Sequence, residues 1–208
     1  MGLVWAIISG YLLGSLSFSI IIIHLLKGVD IRKYGSGNAG MTNVLRNFGK
    51  GPAAIVFAGD FLKGLAGVYL GIYFGGIYYG VAAGLAAMAG HTYPLYFGFK
   101  GGKGVATGCA VLMALAPDVT LIAFAVFITT IFISRFISLG SLLAAVSVII
   151  LVFIFNKPLP VVIFGLIGSL FVIYRHKSNM IRLYKGTENK IGKTRSDFGD
   201  KNNDCRGR

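Results

Sequence analysis

The stretch LVWAIISGYLLGSLSFSIIIIHLL, residues 3–26, contains no Asp, Glu, Lys or Arg, and it exceeds the about 20 helical residues needed to cross a hydrocarbon core. No basic segment precedes it, and it is longer than the apolar core of a signal peptide, so it reads as a membrane span rather than a cleaved leader. Further apolar runs follow it almost to Arg175. Punctuation by polar residues, Gly and Pro separates seven segments, at 3–26, 52–74, 77–96, 104–116, 118–134, 138–155 and 158–175. The expected fold is all-α: a polytopic membrane bundle of seven transmembrane helices, forming one domain over 1–190, with a polar, disordered tail over 191–208.

Composition agrees. The 208 residues are 55% hydrophobic and only 13% charged, with a mean hydropathy of +0.76, well outside the range of soluble domains. Two cysteines, Cys109 in an apolar run and Cys205 in the tail, are too few and too differently placed for a disulfide framework and read as free thiols. The fourth segment is short, since about 13 residues at a 1.5 Å rise reach only about 20 Å. A short segment at membrane depth is tolerated where protein or water satisfies its backbone, which marks a candidate site.

Lysine and arginine set the orientation, because cytoplasmic loops retain positive charge during insertion. With the N-terminus outside, eighteen of the twenty basic residues fall on the inner side; Lys157 lies outside and Lys63 within the second segment. The C-terminus is then cytoplasmic. A net charge of +13 could serve nucleic acid, lipid or an anionic substrate. Nucleic acid is disfavoured, because the basic loops are short, framed by spans and not interleaved with exposed stacking aromatics.

Between the first two spans lies GSGNAGMTNVLR, residues 35–46, which spells the dinucleotide pattern G-x-G-x-x-G through Gly35, Gly37 and Gly40. That reading needs a strand before the glycines and a soluble βαβ unit around them, and here the preceding element is a membrane helix. The physics shared with phosphate loops remains: glycines let backbone N–H groups converge on an anion. From Met41 the pattern turns helical, with Met41, Val44, Leu45 and Phe48 on one face. The N-terminus of this short interfacial helix would add unpaired N–H groups and positive dipole, with Ser36, Asn38, Thr42 and Asn43 as neutral donors and Arg46 as the charge.

A second cluster, HTYPLYFGFKGGKGVATG at 91–108, sets Lys100 and Lys103 among Gly101, Gly102 and Gly104 ahead of the short fourth segment. It is not a nucleoside-triphosphate loop, because no hydroxyl follows Lys103 to hold magnesium. A third, YRHKSNMIRLYKGTE at 174–188, puts His176 and Asn179 three apart, on one face if the helix continues. Taken alone, Arg175, Lys177 and Arg182 are ordinary juxtamembrane anchors. Asp60 and Lys63 read as a local ion pair that lowers the burial cost of both. His24 and His91 stand apart, no spacing suggests zinc, and no metal or cofactor is expected. Three basic clusters on one leaflet describe a polyanion site open to lipid and cytosol.

In these three motifs, with the DFLKG that follows the first, the chain resembles the bacterial acyl-phosphate:glycerol-3-phosphate acyltransferases, over nearly its whole length to Lys190. The resemblance implies a bacterial inner-membrane enzyme with a cytoplasmic active site that starts phospholipid synthesis. It implies transfer of a fatty acyl group from acyl phosphate to the 1-hydroxyl of sn-glycerol 3-phosphate, giving lysophosphatidic acid and phosphate. The His-x4-Asp pair of other glycerolipid acyltransferases is absent: five positions after His24, His91 and His176 stand Val29, Tyr96 and Ile181.

Carried over motif by motif, Gly35, Ser36, Gly37, Asn38, Thr42 and Asn43, with Gly101, Gly102 and Gly104, would hold the acyl phosphate. Arg46, Lys103, His176 and Asn179, with Ser141 as a weaker candidate, would hold glycerol 3-phosphate. Ser36, Arg46, Lys103, His176 and Asn179 would form the catalytic set. The proton acceptor is either the substrate's own phosphate or His176. The implied partners are the two substrates, membrane lipid and, upstream, an enzyme that forms acyl phosphate; a monomer is compatible with all of this. The alternative is a lipid or organic-anion transporter or flippase, which predicts clusters at the midplane with access from both sides.

Overall fold

The computed structural model describes residues 1–192, and among them there is no strand. The opening apolar stretch forms two helices, α1 (Gly2–Gly14) and α2 (Phe18–Lys27), with a break at 15–17. The break frees the Leu16 carbonyl inside the apolar layer, where an unpartnered backbone group is costly. Lys63 answers it, with Nζ 2.6 Å from that oxygen. The helix expected from Met41 is α3 (Met41–Phe48), and Val44 on its apolar face is fully buried. Met41, Leu45 and Phe48 pack with it against a small core that includes Ile23 and Val56.

The remaining helices are α4 (Lys50–Gly75), α5 (Ile77–Thr92), α6 (Val105–Leu115), α7 (Pro117–Ser134), α8 (Ile137–Ile154), α9 (Leu159–Arg175) and α10 (Lys177–Tyr184). Each follows an expected apolar segment except α10, which continues past the seventh. Among the described residues four helical stretches are long and apolar enough to cross a membrane: Gly2–Lys27, Lys50–Gly75, Pro117–Ser134 and Ile137–Ile154. Counting α9 and α10 as one span, bent by 55°, makes five. The two apolar segments that fall short do so for local reasons. Pro94 disfavours helix just before it, so α5 ends at Thr92, and the glycine turn before Val105 and Pro117 beyond it hold α6 to 11 residues.

Helices α1, α4 and α5 pack backbone to backbone. A Cβ placed on Gly10 would lie 2.3 Å from the Ala83 carbonyl oxygen, and one on Gly14 would lie 2.2 Å from that of Ala87. Only a residue without a side chain permits such an approach. Helices α6 to α9 enclose the larger core, in which Val111, Val119, Val152 and Val161 are buried. Outside, Trp5, Leu62, Phe132, Ile133, Ile154 and Leu170 are exposed, an apolar exterior suited to lipid rather than water.

The two ends of the bundle differ. Gly2 lies beside Phe74 and Tyr79 at one end, and there Lys157 pairs with Asp118 at 2.6 Å. At the other, where α4 begins, Arg46 donates to the Asn189 carbonyl at 2.8 Å and Ile191 N–H to that of Arg135 at 2.9 Å. The polar tail, from residue 193 onward, lies outside the described residues.

Candidate active site

The loop at 35–40 is braced from within. Asn43, buried at the start of α3, accepts the Ser36 N–H at 3.1 Å and donates its amide hydrogens to the carbonyls of Tyr34 at 2.9 Å and Ile31 at 3.3 Å. Asn43, expected from the sequence as a donor to the ligand, lines the cavity but spends its amide hydrogens within the loop, as a strut. Gly35, at φ +56°, passes so close that a Cβ would lie 2.5 Å from Asn43 Oδ1 and 2.4 Å from Asn47 Nδ2. The Gly37 N–H is likewise spent on the Tyr34 carbonyl at 3.0 Å. Ser36, Asn38, Gly40, Met41 and Thr42 face the cavity.

The turn at 98–104 shows the same division of labour. The N–H groups of Gly101 and Gly102 donate to the carbonyls of Thr92 and His91, both at 3.1 Å, docking the turn on the end of α5. Neither lines the cavity, although both were expected to hold phosphate, and their amides are paired within the protein. Gly104, in the left-handed region at φ +80°, caps α6 and lines the cavity with Lys103, Val105 and Ala106. Lys103 donates to Asn179 Oδ1.

His176 is the joint between α9 and α10. The helix does not continue straight, as the three-residue spacing required, yet both His176 and Asn179 line the cavity. Nδ1 of His176 lies 2.8 Å from the Val172 carbonyl, which can only accept, so the proton sits there and Nε2 keeps its lone pair. Asn179 Nδ2 donates to Glu188 Oε1 at 2.9 Å, as does Ser138 Oγ at 2.9 Å, while Arg182 Nε donates to Oε2 at 2.7 Å. Arg46 Nη2 stands 4.0 Å from the same carboxylate. Ser138, Arg182 and Glu188 are cavity-lining residues that sequence reasoning passed over, reading Arg182 as an anchor only.

These elements enclose one cavity of about 230 Å³. Its rim gathers Ser36, Asn38, Thr42, Asn43, Arg46, Lys103, His176 and Asn179 from all three motifs, with Ser141 from α8. Its body is apolar, running between α6, α7, α8 and α9 past Leu112, Ala123, Phe124, Val148 and Phe164. The N-terminal ends of α3 and α6 both open on it, so two positive helix ends meet there.

Arg46, Lys103 and Arg182 face a single carboxylate, and the surplus positive charge shows in the titration of the site. Burial pushes the Lys103 ammonium down to about 8, helped by Arg182. Burial, then the charge of Lys103, takes His176 down to about 4. The Arg46 guanidinium is lowered chiefly by burial, and among the described residues its Nε is buried with no hydrogen-bond partner. Burial works against the Glu188 carboxylate, but the bonds from Arg182, Asn179 and Ser138 outweigh it and hold the group below its ordinary range. A desolvated cluster with excess cations favours a bound dianion.

Deeper in, Asp60 Oδ1 lies 2.8 Å from Lys63 Nζ, the expected ion pair, and also 3.4 Å from His91 Nδ1, a partner the sequence did not disclose. Asp60 and His91 both reach the cavity wall.

A family model described as "Glycerol-3-phosphate acyltransferase" matches residues 4–186. The chain is 44% identical to the glycerol-3-phosphate acyltransferase of Desulforamulus reducens over 194 residues, covering 93% of this chain and 97% of that one. It is 44% identical over 201 residues to that of Halalkalibacterium halodurans, covering 93% and 98%. Among solved structures it is similar to PlsY (YgiH), an integral membrane glycerol 3-phosphate acyltransferase, in its glycerol 3-phosphate form: TM-score 0.87, 40% identity, with 92% of this chain and 96% of that chain covered. The lysophosphatidic acid form of the same protein gives a TM-score of 0.85 at the same identity and coverage. A cation-rimmed apolar cavity in a helical bundle, and identity running the length of the chain, together mean that this protein belongs to the glycerol-3-phosphate acyltransferase family.

Proposed function

We propose that the protein transfers a fatty acyl group from acyl phosphate to the 1-hydroxyl of glycerol 3-phosphate, releasing lysophosphatidic acid and inorganic phosphate. The observation that carries this reading is the joining of a cationic rim to an apolar cavity, because the reaction brings two phosphates and one acyl chain together. The acyl chain occupies the groove between α6 and α9. The acyl phosphate headgroup lies against Ser36, Asn38, Thr42 and Gly104, at the N-terminal ends of α3 and α6. Arg46, Lys103, His176 and Asn179, with Ser141, hold the phosphate and hydroxyls of the acceptor.

The mixed anhydride is already activated, so the enzyme needs to align and stabilise rather than to generate a nucleophile. The acceptor hydroxyl attacks the carbonyl carbon, the carbon–oxygen bond to phosphate breaks, and donors at the rim stabilise charge on the carbonyl oxygen and the departing phosphate. The hydroxyl proton goes to the acceptor's own phosphate. A phosphate monoester has a second pKa of about 6, above the about 4 of His176, so the phosphate is the stronger base of the two. Nε2 of His176 orients the acceptor by accepting a hydrogen bond from its second hydroxyl, which leaves the proton of the attacking hydroxyl to the phosphate.

The proposal extends to a bacterial inner-membrane protein with seven crossings, in which α5 and the short α6 also traverse the layer. The N-terminus is outside and the site opens to the cytosol. The basic rim supports this sidedness, since it lies where the positive charge of the chain is concentrated. A monomer contains every residue invoked, and an acyl-phosphate-forming enzyme supplies the donor.

The test is to incubate purified protein in detergent with palmitoyl phosphate and glycerol 3-phosphate. Lysophosphatidic acid and phosphate should appear in equal amounts, and palmitoyl-CoA should not replace the donor. Failure to form lysophosphatidic acid would overturn the reading.

A further inference from the structure

The buried group formed by Asp60, Lys63 and His91 takes no part in the reaction as written, yet burying two charged groups and an imidazole is costly. All three side chains are 5% exposed or less. Charged groups at membrane depth mark function by default.

The contacts of the cluster form a chain with a direction. Lys63 Nζ donates to the Leu16 carbonyl at the break between α1 and α2, at 2.6 Å, and stands 2.8 Å from Asp60 Oδ1. Asp60 Oδ1 is 3.4 Å from His91 Nδ1, and the Asp60 carbonyl accepts Thr107 Oγ1 from the first turn of α6 at 3.2 Å. On its other edge the His91 ring presses on the turn that carries Lys103: a Cβ on Gly102 would lie 2.1 Å from His91 Nε2. The same Cβ would lie 3.0 Å from the Ala39 carbonyl oxygen, in the loop that carries Ser36. Gly102 is thus clamped between the ring and the 35–40 loop.

A His–Asp pair invites reading as a general base, but the geometry opposes it. Nδ1 faces Asp60 and Nε2 lies against the Gly102 backbone, which sets the ring against the turn rather than among the rim groups. We propose that His91, held by Asp60 and Lys63, is a positioning residue that sets the Lys103 turn in register with the Ser36 loop across Gly102. Two loops from distant parts of the chain must meet one donor and one acceptor, and a displacement of about 1 Å can cost about 100-fold in rate. This inference rests on the acyl-transfer reading above.

The test compares wild type, His91→Ala, Gly102→Ala, Lys103→Ala and His91→Ala/Lys103→Ala, with kcat and KM for each substrate and Tm for each protein. Turnover by wild type is the control for the acyl-transfer reading itself. His91→Ala should lower kcat/KM for glycerol 3-phosphate roughly 10- to 100-fold while Tm stays near wild type. Gly102→Ala, which displaces the turn without emptying the interior, should do the same. In the Lys103→Ala background, adding His91→Ala should change activity less than about 3-fold, because the charge that the turn chiefly positions is already gone. A fully multiplicative loss in the double variant, wild-type kcat/KM in either His91→Ala or Gly102→Ala, or a Tm that falls in step with activity in both, overturns the proposal while leaving wild-type turnover intact.

Discussion

Arg46 and Lys103 enter the cavity from elements 57 positions apart in sequence, and each is desolvated without a full ion-pair partner. Such groups gain most when an anion arrives, so Arg46→Ala and Lys103→Ala should each lower kcat/KM by roughly 100-fold or more in a steady-state assay, with the protein still inserted and folded. The Lys103 ammonium, pushed down to about 8, is charged below that pH and neutral above it. The kcat/KM for glycerol 3-phosphate should therefore fall as pH rises through about 8. The fall in kcat should come at higher pH, because bound phosphate holds the proton on. Loss of the limb in Lys103→Arg is the check. His176→Ala should weaken glycerol 3-phosphate use and leave that alkaline limb in place; a limb that vanishes would make His176 the base. That Ser36, Arg46, Lys103 and Asn179 line one cavity is what the sequence led one to expect, because a cation or amide beside glycines in a polar gap has few structural uses. The pairing of Asn43 and Gly102 within the protein is not legible, for a shared reason. Whether an amide faces a ligand or a neighbouring carbonyl is decided by loop closure, which residue type does not encode.

Among the elements, α3 is legible as an amphipathic helix and the shortness of α6 as a sign of a site. The bend between α9 and α10 is not, since no proline or glycine marks it: the chain turns at His176, where Nδ1 takes the Val172 carbonyl. Glu188 then ties α10 to α8 through Asn179, Arg182 and Ser138. Glu188→Ala should leave these donors unmatched, lowering stability by about 1–3 kcal/mol per buried unpaired group in detergent unfolding and raising KM for glycerol 3-phosphate. Helix α7 begins at Pro117, the end away from the rim, so Ala123 lies deep in the groove. Ala123→Phe should shift preference toward shorter acyl phosphates, at about 0.8 kcal/mol for each methylene denied burial. An unchanged chain-length profile would mean that the acyl chain lies elsewhere.

For the whole molecule, the placement of charge makes a prediction about sidedness. In a variant with Cys109 and Cys205 replaced by Ser, a cysteine at Lys157 should react with a membrane-impermeant maleimide only from outside the cell. One at Lys185 should react only from the inner side. The sequence by itself determined that the chain is helical and apolar, where its apolar runs lie, and that three basic clusters rich in glycine or asparagine recur between or beyond those runs. Composition and periodicity suffice for that, because the bilayer accepts little else. Only the tertiary structure decided that the clusters meet at one cavity, that Glu188 anchors its rim and that His91 reaches Asp60. Those contacts join helices far apart in the chain, and packing geometry alone selects which buried polar groups find one another.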